Sequence, residues 1–241
     1  MIYTYSQLGH HGALGNCLFQ VAGVIGTARR DGAKVRLPED WFYRPFFSLP
    51  EEYYGLIDGT EYDFYPDYLQ DLRHFEDSSD HIREIFRPVT DKCDELDELT
   101  AVHVRRANNL YLPNHHPVCS LEYYEEAMDI VGGEIMVFSD DLEWCKQQSV
   151  FKDARFGVGP PKDIDVMELT KADATPSVEA IIDLFIMAQC SNHIISNSTF
   201  SWWGAWLANG NRVIYPRSWY GPALSHIDIQ GLFPKEWTAL C

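Results

Sequence analysis

From Ala101 onward the sequence alternates between two periods, and that alternation limits what the chain can fold into. Ala101 to Arg105, Ile135 to Phe138, His193 to Ser196 and Arg212 to Tyr215 are short apolar runs of strand length. Between them lie apolar patterns of helical spacing: Leu121 to Val131, a helix from about Leu142, Ser177 to Cys190, and Thr199 to Ala208. Strands separated by helix-length segments are joined by crossovers and pair in parallel, so the pattern predicts an α/β fold. The punctuation agrees. Thr175-Pro176 reads as an N-cap followed by proline at the first helical position, closing a loop that begins at Gly157, and Asn209-Gly210-Asn211 reads as a turn.

The first part of the chain is less regular. Ile2 to Leu8 reads as a strand leading into the turn His10 to Asn16. Leu18, Val21, Ala22, Ile25 and Ala28 then fall at helical spacing, with Gly32 placed to close the helix. Residues 38 to 75 are rich in Pro, Tyr and Phe without periodicity and receive no assignment. The charged run Asp91 to Glu98 marks a boundary, dividing the chain at about 1–95 and 96–241. With 46% hydrophobic residues in 241, a substantial core needs no covalent staples. The six cysteines show neither a CxxC pair nor zinc-type spacing and read as free thiols in a reducing compartment. The start lacks a signal-peptide pattern and no stretch approaches the ~20 apolar residues of a membrane span, so a cytoplasmic protein with no transmembrane segment is expected. A formal charge of −17 argues against a nucleic-acid partner, and any anionic ligand requires arginines concentrated in one place.

Four polar clusters follow the proposed strands: Gly12 to Asn16, His103 to Asn109, Ser139 to Asp141, and Asn197 to Thr199. Ligands of open α/β sheets bind at the carboxyl ends of strands, where helix N-termini also point, so these clusters are expected to line one cleft. Gly12 and Gly15 permit close backbone approach, with a plain tight turn as the simpler account. In HVRRANN, strand alternation puts His103 and Arg105 on one face and Val104 and Arg106 on the other. A guanidinium suits a diphosphate, and the second arginine either anchors the loop or reaches the ligand too. Asp140 and Asp141 either cap a helix or bind a ribose or base. In SNSTFSWWGAWL, Phe200, Trp203, Trp206 and Leu207 share a core-facing side, Trp202 is assigned to neither core nor site, and the hydroxyls stand at a helix N-terminus.

Together, GALGNCLFQVAG, HVRRANNLYLPNHHPVCSLEYYEEAM, VFSDDLEWC and DLFIMAQCSNHIISNSTFSWWGAWL resemble the α-1,2-fucosyltransferases of glycosyltransferase family 11. In order and spacing they cover most of the chain, least clearly from 38 to 95. The resemblance implies a GT-B-like fold of two Rossmann-type domains facing a central cleft, acceptor side first and donor side second. It also implies GDP-fucose as donor, no cofactor and no metal, and inversion at the fucose anomeric carbon to an α-1,2 linkage on a galactose-type glycan acceptor. The first arginine of the family motif, Arg105 here, is expected to bind the diphosphate. His103 and Asp140 or Asp141 are expected at the nucleoside, and Ser198 and Thr199 by the phosphates. The donor-binding set thus becomes Gly12, Gly15, Asn16, His103, Arg105, Arg106, Asp140, Asp141, Asn197, Ser198, Thr199 and Phe200. Arg105 and, as general-base candidates, His115, His116 and Glu122 form the catalytic set.

Two motifs depart from the family pattern. Ala107 and Asn108 stand where Gly and Asp are usual, and Cys17 where Gln is usual. An asparagine cannot serve as a carboxylate base. A transferase with another nucleotide sugar or linkage, and a weakly active sugar- or nucleotide-binding homologue, therefore stand as alternatives. A redox enzyme is disfavoured because the dinucleotide fingerprint is missing.

Overall fold

A strand buried on both faces needs apolar side chains all along it, and Leu99–Val104 (β4), with all six residues buried, is such a strand. The computed structural model describes residues 1–87, 93–159, 176–210 and 212–241, and the side chains of 107 and 108 fall outside the description. The chain divides into two units: the described residues of Met1–Val89, Ala172–Pro176 and Ile229–Pro234, and those of Thr90–Lys171, Ser177–Asp228 and Lys235–Cys241.

In the first unit Ile2–Thr4 (β1) lies between two parallel neighbours, Lys34–Val35 (β2) and Tyr62–Asp63 (β3). The strand is shorter than the expected Ile2 to Leu8 because the backbone turns after Thr4, with the Leu8 amide donating to the Tyr5 carbonyl at 3.1 Å. Helix Leu14–Asp31 (α1) buries nearly its whole apolar length. It ends at Gly32, whose φ of 65° is the left-handed conformation that glycine adopts without strain, and the Gly32 amide closes onto the Ala28 carbonyl. The region without sequence periodicity holds short 3₁₀ turns rather than long elements, tied together by aromatic packing. Trp41 stacks on Phe47 at 5.8 Å and Phe47 tilts against Phe86 at 5.2 Å. Ser79–Ile85 (α2) ends this stretch.

The second unit is one parallel sheet. Its strands are β4, Glu134–Ser139 (β5), Arg155–Phe156 (β6), Asn192–Ile194 (β7), Arg212–Pro216 (β8) and Thr238–Leu240 (β9), in the spatial order β6-β5-β4-β7-β8-β9. Counted within the unit this is 3-2-1-4-5-6, the doubly wound order in which the chain reverses direction between its first and fourth strands. Helices cover both faces: Leu121–Val131 (α3), Leu142–Lys146 (α4), Val178–Met187 (α5) and Thr199–Ala208 (α6). Val102 and Val104 pack with Tyr123, Tyr124, Val137 and Ile194 on one face, while Leu99 and Ala101 pack with Phe138 and Met187 on the other. The α/β class with parallel sheets read from the sequence is therefore the class observed. Helix α5 is capped by Ser177, whose hydroxyl accepts from the Ala180 amide; Thr175, the expected cap, lies outside the described residues, as does Asn211.

Trp202, left unassigned above, is core. It is fully buried with Trp203, Trp206 is nearly so, and Trp237 closes the group at 5.5 Å from Trp202. All six cysteines are free, and no described helix is long and apolar enough to cross a membrane.

Two buried histidines carry a pH consequence. Burial pushes His193 down to about 4, partly opposed by its bond to the Met187 carbonyl, and burial with the Arg105 charge pushes His103 down to about 3. The unfolded chain takes up these protons below pH ~6.5 while the folded chain resists them, so stability is present above that pH and is lost as pH falls. Each histidine contributes a slope of about 1.4 kcal/mol per pH unit in that window. Urea midpoints of His193→Asn should fall less steeply than wild type between pH 6.5 and 4.5; an unchanged slope would contradict the assignment.

Candidate functional site

The reversal point between β4 and β7 is where an open parallel sheet leaves room for a ligand, and the two strand ends are joined there by side chains. The register pairs Val102 with Ile194, and beyond that last pair the chain carries Ser196 to the His103 side chain. His103 Nδ1 lies 2.7 Å from the Ser196 hydroxyl, both residues being buried, and its ring stands 5.4 Å from Phe200 on α6. With its pKa far below neutral, His103 is an uncharged imidazole at pH 7.

The arginine pair divides its work. Arg106 is pinned three ways: its amide donates to Asp140 Oδ1 at 2.8 Å, its Nε to Asp141 Oδ2 at 3.1 Å, and its guanidinium lies 3.6 Å above the Trp144 ring. This is the loop-anchoring role. Arg105, a quarter exposed at the side chain, pairs with the nearly buried Asp140 at 2.7 Å. Asp141 also caps α4 by accepting from the Trp144 amide at 3.2 Å. Capping and ion pairing thus account for both aspartates without a ligand.

Helix α6 begins without a side-chain cap. Ser198 is the N-cap by position but makes no side-chain capping bond. The N-terminus of a ten-residue helix favours an anion. Ser198, Thr199 and Phe200 are half-buried around that end. Asn197 is different from its neighbours. Its Nδ2 donates to the Pro117 carbonyl at 2.7 Å and the Trp219 carbonyl at 3.2 Å, and its Oδ1 faces Asn109 Nδ2 at 3.5 Å. Its amide is committed to holding three loops together rather than to a ligand.

The base candidates lie on those loops. His115 is exposed, its amide bonded to the Leu112 carbonyl and its own carbonyl accepting from the Gly221 amide. His116 is half-buried beside Tyr220, and burial followed by the charges of His115 and Arg105 holds it below the ordinary histidine range. Glu122 is exposed in the first turn of α3, where hydrogen bonds from its own amide and from Ser120 keep its carboxyl low. The described side chains of the second unit thus gather His103, Arg105, Arg106, Asp140, Ser198 and Phe200 at one end of the sheet. Gly12, Gly15 and Asn16 occupy the equivalent end of β1 in the first unit. There Gly15 is buried inside α1 and Asn16 Oδ1 accepts from Gln70 at 3.1 Å. Among the described residues no group of three His, Cys, Asp or Glu side chains could hold a metal ion.

Sequence patterning missed three side chains that build this end of the sheet. Tyr123 donates to the Ile195 carbonyl at 2.7 Å and Tyr124 to the His103 carbonyl at 3.2 Å, so α3 satisfies backbone groups just where the strands stop pairing. Asp183 of α5, buried, accepts from the Val158 and Gly159 amides at 2.7 and 2.9 Å and fixes the loop beyond β6. The sequence signals were a double tyrosine in an amphipathic helix and an acid within an apolar one.

Sheet order and the clustered polar ends define a Rossmann-type ligand-binding unit. The chain matches Glycosyl transferase family 11 over residues 34–240 and belongs to that family. It is 30% identical over 171 residues to an alpha-1,2-colitosyltransferase of Escherichia coli, covering 64% of this chain and 54% of that one. It is 23% identical over 219 residues to galactoside alpha-(1,2)-fucosyltransferase 2 of Pongo pygmaeus, covering 83% and 59%. The chain thus spans little more than half the length of these relatives. Among solved structures it is similar to the NodZ alpha-1,6-fucosyltransferase soaked with GDP-fucose, at 17% identity and a TM-score of 0.48, covering 90% of this chain and 94% of that one.

Replacing the Asn197 amide would leave two carbonyls without their donor. Asn197→Ala should cost about 1–3 kcal/mol in urea denaturation. A loss below about 0.5 kcal/mol would show that the loops hold without it.

Proposed function

We propose that the protein is an inverting, metal-independent glycosyltransferase that moves L-fucose from GDP-β-L-fucose to the 2-hydroxyl of a galactose-type residue on a glycan, working in the cytoplasm. The observation that carries this reading is the partly exposed Arg105 just past the end of β4, at the end of the sheet where α6 begins without a side-chain cap. A guanidinium and a row of N–H groups are the donors that a departing diphosphate needs. Membership of family 11 and the alpha-1,2-transferase relatives support the linkage.

In this mechanism the acceptor oxygen attacks the anomeric carbon from the face opposite the diphosphate. The bond from that carbon to the diphosphate oxygen breaks, and GDP departs with the electron pair. Arg105 and the α6 amides stabilise the charge that develops on the leaving oxygen, while Arg106 keeps the loop in place. His116, held uncharged at neutral pH, is the base that takes the acceptor proton. His103 and Asp140 contact the nucleoside, and no carboxylate at position 108 is required.

A second donor is favoured by the colitosyltransferase relative. Colitose is fucose without its 3-hydroxyl, so one pocket accepts both unless it recognises that group. Competing the two activated sugars for one acceptor separates these readings.

GDP release from GDP-fucose should depend on lactose and survive EDTA. Arg105→Ala should lower kcat by ~10²–10³, the loss typical of removing one preorganised donor. Near-normal turnover by that variant would sink the assignment. The acid limb of the rate profile should report His116 and be absent in His116→Gln.

A further inference from the structure

The first unit carries a set of rings at the carboxyl end of β1 that core packing alone does not explain. His11 lies flat on Tyr68, with ring centres 4.3 Å apart and planes at 14°, and meets Tyr65 edge-on at 5.2 Å. Tyr65 in turn stands edge-on to Tyr5 at 6.2 Å. Tyr5 is completely buried and forms the back of the group, whereas Tyr65 is 46% exposed and forms its face. A ring stack that runs from core to solvent in this way offers a flat apolar surface to a ligand.

His11 is placed with care for a residue in a loop. Gly12 after it has a φ of +91°, and the buried Gln20 of α1 donates to the His11 carbonyl at 2.7 Å. Backbone and ring are both fixed, yet His11 Nε2 is shielded from water with no hydrogen-bond partner among the described residues. The Tyr5 hydroxyl is in the same condition. Orphaned buried polar atoms destabilise a fold, and the one on the part-exposed His11 points to a ligand that supplies its missing partner.

Charge decides which ligand. Asp63 and Asp67 lie close enough to Tyr5 to raise its hydroxyl pKa further, after burial as the main cause. Both bracket the ring group, Asp63 accepting from the Ser6 and Tyr65 amides and Asp67 from the Leu69 amide. Two carboxylates repel a phosphate but not an uncharged pyranose, whose C–H face stacks on an aromatic ring while its hydroxyls seek polar atoms at the edge. We propose that His11, Tyr65 and Tyr68 form the subsite for a neutral galactose-type residue of the acceptor, with His11 Nε2 bonded to one of its hydroxyls. The proposal rests on the transferase reading above.

Saturation-transfer NMR with lactose on the full chain, without donor, tests binding apart from turnover. Wild type should transfer saturation to the galactose protons. His11→Phe, which keeps the stack and removes Nε2, and Tyr65→Ala, which removes the exposed ring, should each weaken lactose about five- to tenfold. GDP-induced thermal stabilisation should be unchanged, and in turnover KM for lactose should rise with kcat within about twofold. No lactose binding by wild type, or unchanged lactose affinity in both variants, overturns the subsite. So does a loss of GDP stabilisation in its place, which would mean that the rings stack a base. Lactose binding at these residues without any transfer would keep the subsite and refute the transferase reading.

Discussion

Everything at the candidate site depends on the parallel ladder through β4. Because β5 and β7 pair with β4 in parallel, their carboxyl ends come out together, and the polar residues that follow each strand arrive at one place from segments almost a hundred residues apart. The ladder also explains why so much aromatic surface sits behind α6. Loops that leave a strand pair need a rigid backing, and the buried Trp202, Trp203 and Trp206, with the half-buried Trp237 against them, provide one. The hydroxyls and amides of SNST are held where they are by the tryptophans that follow them.

Much of this was legible from period and punctuation alone. The helices Leu121–Val131 and Thr199–Ala208 lie where their spacing put them, and Gly32 ends α1 as expected, because amphipathic stripes and left-handed caps are local properties. Strands were legible as existing but not as bounded. Ile2 to Leu8 shortens to three residues because the turn after Thr4 is set by hydrogen bonds to Tyr5 and to Asp63, which lies 57 positions away from the bonded Ser6. The region 38–75 was opaque since its order comes from ring-on-ring contact, which leaves no period in the sequence.

The site was legible as a set of residue types and illegible as a division of labour. Alternation placed His103 and Arg105 on one face, but only the fold shows that Arg106 is locked under Asp141 and over Trp144 while Arg105 keeps part of its surface. Asn197 reads like its polar neighbours in sequence, yet its amide is a clamp, and the difference lies wholly in which carbonyls come within 3.2 Å of it. Asp183 and the tyrosine pair of α3 were invisible for the same reason: their partners are backbone atoms, and backbone atoms carry no sequence.

The bond between His103 and Ser196 has one more property. An uncharged imidazole holds a single proton, which sits on either nitrogen, and a hydroxyl both gives and receives. If Ser196 donates to Nδ1, the ring's proton sits on the far nitrogen; if the hydroxyl turns and Nδ1 donates, the far nitrogen carries a lone pair. The far ring nitrogen therefore changes from donor to acceptor by relocating one proton and rotating one hydroxyl, with no heavy atom moving. A buried side chain with fixed heavy atoms keeps in this way a choice between giving and receiving a hydrogen bond.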